Sequence, residues 1–172
     1  TKIRSNPEKY SDNGQTKMDK WNEESEAKKI IENNIYGVDI NPESVAITKL
    51  ALFLKIAERG KKLSELTNNI KVGNSLISDK SIDEMAFDWE EQFPEKFDIV
   101  IGNPPYVDIK QLPQSLVKQL FETYSTVENR MNLYSVFIEK SLKLLNNEGF
   151  FGFIIPNSIL YNSSYTKIRK LI

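Results

Sequence analysis

The sequence predicts an α/β fold, a parallel sheet covered on both faces by helices, and three observations carry that expectation. Short runs rich in β-branched and aromatic residues, IYGVD (35–39), NIKVG (69–73), FDIVIG (97–102) and GFFGFIIP (149–156), alternate with longer amphipathic segments. Strands separated by helical crossovers pair in parallel with right-handed connections, which requires cover on both faces. Three of the runs end in polar residues, Asp39, Asn74 and Asn103, and in open α/β sheets ligands bind outside the carboxyl ends of the strands.

Taken in order, residues 1–20 are polar, carry Pro7 and Gly14 and show no sustained apolar period, which reads as an exposed arm or loop. From Asp19 to about Asn33, Trp21, Ala27, Ile30 and Ile31 line one side of a helix rich in Glu and Lys. A strand at 35–39 follows, then the clearest helix of the chain. It opens with Asn41 as cap and Pro42 in the first position, carries an apolar face of Val45, Leu50, Leu52, Phe53, Leu54 and Ile56, and stops at Gly60. After the strand ending near Gly73-Asn74-Ser75, residues 78–96 read as an irregular connection holding Phe87, Trp89 and Phe93. The buried strand FDIVIG precedes helices at 113–124, opened by Pro113, and 133–146, followed by Gly149. GFFGFIIP is a further buried strand stopped by Pro156, and 163–172 begins another helix. Trp21, Phe53, Phe121, Phe137 and the aromatics of 150–153 are assigned to packing.

Composition narrows the chemistry. At 172 residues the chain suits one domain that buries roughly two-thirds of the surface its unfolded form exposes. A net charge of −1 leaves no overall electrostatic footprint for nucleic acid, so any polyanion contact must be local. Lys61-Lys62, Lys110 and Arg169-Lys170 are candidates for it, although lone charge pairs are more often solvated surface. The chain has no cysteine and no histidine, which excludes disulfides, thiolate nucleophiles, Cys/His zinc sites and His-based triads within it; no metal site is expected. No apolar run approaches the ~18 residues of a membrane span, and the polar N-terminus lacks a signal-peptide layout, so a cytoplasmic protein without a membrane partner is the expectation.

Asp39 closes a strand directly before a helix, where a carboxylate accepts hydrogen bonds from the two hydroxyls of a ribose; equally, it serves the turn or the helix cap. Asn74 either meets an adenine ring with its amide or builds a turn. Asn103-Pro104-Pro105-Tyr106 is more specific. Pro105 holds Pro104 extended, and neither proline has an N–H to donate, so the Pro104 carbonyl is left to accept. With the Asn103 side-chain oxygen beside it, the pair suits a planar NH₂ group that offers two hydrogens. Two acceptors on one amino group draw its nitrogen toward tetrahedral geometry and free its lone pair as a nucleophile. Tyr106 supplies a ring to stack on the base that carries it, a contact worth ~1–3 kcal/mol.

With IYGVDINP upstream and GNSL between, this motif resembles that of the S-adenosylmethionine-dependent amino-methyltransferases, and more closely the adenine-N6 DNA methylases of restriction-modification systems, including the type IIG enzymes. FDWEEQFPEKFDIVIGNPPYV, NLYSVFIEKSL and EGFFGFIIPNSIL extend the resemblance over about residues 30–172. It implies a Rossmann-like class I methyltransferase sheet and a cofactor, S-adenosylmethionine, whose ribose and adenine meet Asp39 and Ile40. It implies that Asn74 and Ser75 border the cofactor adenine with Pro105 packed nearby, and that Asn103, Pro104 and Tyr106 hold an adenine flipped out of double-stranded DNA, as methylation inside a duplex requires.

The chain departs from that family in lacking the first strand and its Gly-rich loop. Its seven glycines stand at 14, 37, 60, 73, 102, 149 and 152 with no Gly-x-Gly cluster. In the family that strand lies between the ones ending here at Asp39 and Asn103. The expected organisation is therefore a polar arm or inserted helix at 1–30 and a partial catalytic domain at 31–172, an internal excerpt inactive by itself. Final strands, a target-recognition domain and any restriction domain would lie outside it. Two other readings stay open: methylation of a glutamine side-chain amide, whose NH₂ suits the same acceptors, and a non-catalytic DNA-binding or specificity module with a decayed cofactor site.

Overall fold

Parallel pairing is present as expected, but in separate pairs of strands. The computed structural model describes residues 11–12, 15–16, 23–56, 68–128 and 130–172. The expectations for Pro7, Gly14, Trp21, Gly60 and Lys61-Lys62 lie outside them. Strands β1 (Ser11–Asp12) and β2 (Gln15–Thr16) form an antiparallel pair in the segment expected as an arm. Strand β3 (Gly37–Asp39) runs parallel to β4 (Ile70–Val72), with Asp39 opposite Val72. Strand β5 (Phe97–Gly102) runs parallel to β6 (Leu145–Phe153), with Ile99 opposite Phe150 and Gly102 opposite Phe153. The chain is thus mixed α/β, but its described strands do not join into the single covered sheet the sequence suggested. The strand that the resemblance places between those ending at Asp39 and Asn103 is supplied by none of the described segments.

Two compact units divide at Val72/Gly73. In the first, helices α1 (Glu23–Asn34) and α2 (Pro42–Ile56) pack through Ala27, Ile31, Leu52 and Ile56. Asn41 caps α2 as expected: its Oδ1 accepts from the Glu43 N–H at 2.8 Å and the Ser44 N–H at 3.2 Å. Asn69 donates through Nδ2 to the carbonyls of Glu32 and Ile35, tying the end of α1 to the start of β4. The expected apolar face of α2 needs correction. Val45 and Ile56 are buried and Leu52 and Phe53 half-buried, but Leu50 and Leu54 are exposed together with Ile47. Two strands of three residues offer too little sheet to cover a helix that is apolar on nearly every side.

The second unit is organised around helix α5 (Leu133–Leu144), whose Tyr134, Val136 and Ile138 are wholly buried. Against it lie Leu120 of α4 (Gln114–Thr123), Tyr124 just beyond that helix, Ile168 of α6 (Thr166–Leu171), and Phe151 and Phe153 from one face of β6. The opposite face of the β5–β6 pair carries Ile99, Ile101 and Phe150, all more than 60% exposed. Phe150 and Phe121 are therefore surface residues and not the packing residues expected; in β6 the period of two sends Phe151 inward and Phe150 outward.

Gly149 does not stop α5 either. The strand begins directly at Leu145 and absorbs the glycine in an irregularity of register between Phe97 and Ile99. Within the connection 78–96, Asp88 caps a one-turn helix α3 (Trp89–Gln92), and the rings of Phe87, Trp89, Phe93 and Phe97 meet at 5.3–6.3 Å. Single 3₁₀ turns at Ile109–Gln111, Asn157–Leu160 and Ser163–Tyr165 complete the unit, the last leading into α6.

Candidate active site

In the second unit the NPPY segment leaves the carboxyl end of β5, as expected. Asn103 is exposed, and its side chain has no hydrogen-bond partner among the described residues; Pro104 is buried and Pro105 exposed. The Pro104 carbonyl accepts no backbone hydrogen bond among them. Both acceptors that the sequence nominates are thus unspent. Tyr106 is 51% exposed. Its hydroxyl donates to the carbonyl of Ile154, the first residue beyond β6, at 2.7 Å, so the ring is anchored at its far end while half its surface faces solvent.

Behind Tyr106 stand two tyrosines that sequence reasoning missed. Tyr134 meets it edge-on at 6.0 Å, and Tyr165 lies 5.4 Å beyond. The Tyr134 hydroxyl is 3.5 Å from Ser158 Oγ, and Asn132 donates through Nδ2 to the Tyr165 hydroxyl at 3.2 Å. Burial, with Tyr165 and Tyr106 beside it, pushes the Tyr134 phenol up, so it stays neutral at ordinary pH. The chain past the motif is stitched to the start of α5: Ile109 N–H donates to the Met131 carbonyl at 3.1 Å and Leu133 N–H to the Val107 carbonyl at 2.8 Å. The signal for this support lay in NLYSVFIEKSL, where Tyr134 occupies the buried stripe of an amphipathic helix.

Asn74 and Ser75 sit in the same unit, in the turn that follows Gly73. Asn74 donates through Nδ2 to Asp83 Oδ2 at 2.6 Å and accepts at Oδ1 from the Leu76 N–H at 3.1 Å. Its amide therefore shapes the turn, the second of the two roles left open for it. Ser75 accepts the Trp89 indole N–H at its carbonyl, and the buried Tyr124 donates its hydroxyl to the Leu76 carbonyl at 2.8 Å.

Asp39 and Ile40 belong to the first unit. Asp39 ends β3, is exposed, and accepts the Asn41 N–H at Oδ1 at 2.7 Å; Ile40 is exposed beside it. One carboxylate oxygen is committed to the turn and the other has no partner among the described residues. Among those residues no cluster of acidic side chains could hold a metal ion, and no helix is long and apolar enough to cross a membrane.

An anchored aromatic ring follows two unspent acceptors at the end of β5, and comparison with known families gives the class as a restriction-modification methylase. Residues 33–172 match the Eco57I restriction-modification methylase family, and the chain belongs to it. It is 40% identical over 86 residues to the type II methyltransferase M.BstVI of Geobacillus stearothermophilus, a match covering 49% of this chain. It is 29% identical over 154 residues, 80% of this chain, to the type II restriction enzyme and methyltransferase RM.Eco57I of Escherichia coli. The type II methyltransferase M.PaeR7I of Pseudomonas aeruginosa is 36% identical over 77 residues, 45% of this chain and 13% of its own length. The matched stretch spans 15% of the length of each of the first two relatives.

Proposed function

We propose that the protein transfers a methyl group from S-adenosylmethionine to the N6 amino group of an adenine flipped out of double-stranded DNA, as part of a restriction-modification enzyme. The observation that carries this reading is the Asn103 side chain, unpartnered among the described residues at the end of β5, with the half-exposed Tyr106 ring three residues on. A buried or hydrogen-bonded asparagine would have argued for a turn; a free one leaves its acceptor for a substrate. The name of the RM.Eco57I relative couples restriction and methylation in one protein, which supports a restriction partner in the same polypeptide or beside it.

The residues present fit the cofactor in part. The uncommitted oxygen of Asp39 suits a ribose diol, and the exposed Ile40 side chain suits the face of an adenine. Asn74 and Ser75 offer it a shaped border instead of a free amide. When bound, the cofactor supplies an electrophilic methyl group on a sulfonium. The chain's own work lies with the target base. Tyr106 stacks on the adenine, and Asn103 Oδ1 and the Pro104 carbonyl accept its two amino hydrogens. That grip strengthens as the nitrogen becomes tetrahedral, so it favours the transition state over the ground state. No general base is needed to begin, because the leaving proton becomes acidic only as the N–C bond forms, and it then passes to solvent water.

Asn103→Ala in the full-length protein should abolish single-turnover methylation while 2-aminopurine placed at the target position still brightens on binding, because the base is still flipped and retained. Wild-type turnover in that variant would overturn the assignment. So would methylation of a glutamine-containing peptide with DNA left untouched.

A further inference from the structure

A cleft of about 520 Å³ is lined by Glu128, Arg130, Ser163, Ser164 and Lys167, with Phe121 and Val127. Its donors are unspent. Arg130 is exposed and makes no hydrogen bond or ion pair among the described residues, and neither serine hydroxyl has a partner among them. Lys167 Nζ lies 3.8 Å from Glu128 Oε1, a loose pair that leaves most of the ammonium's donors unused. Two cations therefore face one carboxylate, and apart from Glu128 the polar side chains of the cleft offer donors. That lining suits a tetrahedral oxyanion, whose two charged oxygens only accept and match the guanidinium fork.

Both segments of that lining connect to Tyr106 through neighbouring residues. Arg130 adjoins Met131, whose carbonyl holds Ile109 three residues past Tyr106. Ser163 and Ser164 share one turn with Tyr165, which reaches Tyr106 through Tyr134. The cleft is open and its net charge small, so an isolated anion there would be held weakly against solvent screening. One phosphate among many along a polyanion would not depend on it alone. We propose that this cleft receives a backbone phosphodiester of the DNA strand next to the base held at Tyr106, with Arg130 as its principal contact. The inference rests on the proposed DNA substrate.

The test is the salt dependence of duplex binding by the full-length protein, measured for wild type, Arg130→Gln and Arg130→Lys. Each neutralised phosphate contributes a slope of about 0.9 in log K against log salt. Arg130→Gln should lower that slope by about one and weaken binding several-fold, equally for specific and non-specific duplexes, with an unchanged melting midpoint. Arg130→Lys should restore most of the slope. A slope in Arg130→Gln equal to wild type overturns the assignment. Absence of any salt-dependent duplex binding by wild type would instead remove the DNA substrate itself. Inorganic phosphate separates the two sources of the anion: no saturable binding without DNA is expected, and tight binding lost in Arg130→Gln would reassign the cleft to a small phosphorylated ligand.

Discussion

In residues 73–172, thirteen buried hydrophobic residues form one cluster around α5, whereas α1 and α2 of the first unit enclose a cluster of two, Ile31 and Ile56, among the described residues. The first unit is not short of apolar side chains. Ile30, Ile40, Ile47, Leu50 and Leu54 are all more than half exposed. What differs among the described residues is the sheet that can cover them: a six-residue and a nine-residue strand in one unit, two three-residue strands and a two-residue antiparallel pair in the other. The proposed functional groups follow the same division. Tyr106 is backed by buried rings and a carbonyl, while Asp39 and Ile40 stand at the end of a three-residue strand pair, with one turn beyond it. Support for the proposed target-base side thus comes from the core, and that of the proposed ribose contact from a short strand pair and one Asx turn.

The largest effect is expected at Glu139. This buried carboxylate accepts from Lys143 Nζ at 2.8 Å, Thr126 Oγ1 at 2.6 Å and the N–H groups of Thr126 and Ser125. Burial pushes its pKa up, but those donors outweigh it and bring the group from 4.5 down to about 2. Glu139→Ala removes the acceptor of five donors, the Ser125 hydroxyl at 3.3 Å included, and should cost about 3–5 kcal/mol in chemical denaturation. Because the folded pKa lies below the unfolded one, the carboxylate's contribution is complete above about pH 4.5 and is lost as pH falls toward 2. The amount is roughly 3 kcal/mol. Glu139→Gln should flatten this part of the stability profile, and an equally steep acid limb in that variant would show that the anchor lies elsewhere.

Two glycines sharpen the contrast. A Cβ on Gly73 would stand 2.7 Å from Phe87 Cβ and 3.0 Å from its ring, and a Cβ on Gly37 would stand 3.3 Å from Ile70 Cδ1. Phe87 is buried and its Cβ is fixed to the backbone, whereas the Ile70 methyl can turn aside. Gly73→Ala should therefore cost about 1–3 kcal/mol and Gly37→Ala well under 1. Thermal melts of the two variants check the order, and the reverse order would contradict the picture of a rigid second unit and a yielding first one. Since Phe87 N–H also holds the Ile77 carbonyl, Gly73→Ala should disturb the Asn74–Ser75 turn as well.

A smaller effect is expected at Tyr106. Tyr106→Phe removes the bond to the Ile154 carbonyl but keeps the stacking face, so about 0.5–1.5 kcal/mol of stability should go. Turnover should survive at a reduced level. Loss of turnover as complete as in Asn103→Ala would mean that the hydroxyl acts on the substrate and not on Ile154.

The position of β5 and the placement of NPPY at its carboxyl end were legible because both rest on local chemistry: a β-branched run, and prolines that end a strand without needing a partner. The Asn41 cap and Pro42 start of α2 were legible for the same reason. Burial was less so. Phe150 and Phe151 are adjacent and identical in type, and only pairing with β5 decides which faces α5. The single sheet expected from alternating elements needs a strand between the ones ending at Asp39 and Asn103; the lack of a Gly-x-Gly cluster showed in the sequence that this strand is missing, but not that the described strands pair two by two. Asn74 shows the same limit at the site: its residue type alone favours a turn over a ligand without deciding between them, and Asp83, nine residues on, engages its amide.

The smallest effect should come from the outer face of α2. Ile47, Leu50 and Leu54 fall at i, i+3 and i+7, one stripe along the helix, and Ile47 is 67% exposed. Ile47→Lys removes an apolar side chain that contributes little burial and adds a cation four residues after Glu43, an arrangement worth a few tenths of a kcal/mol in a helix. The change in stability should stay within about 0.5 kcal/mol. Ile138→Ala, at a wholly buried position of α5, should cost about 2–5 kcal/mol. Urea denaturation of both variants in the full-length protein tests the contrast where it is sharpest. A loss above about 2 kcal/mol for Ile47→Lys would mean that the stripe on α2 is covered in the native protein, and the weakness of the first unit would then lie in what it lacks within this chain and not in its own packing.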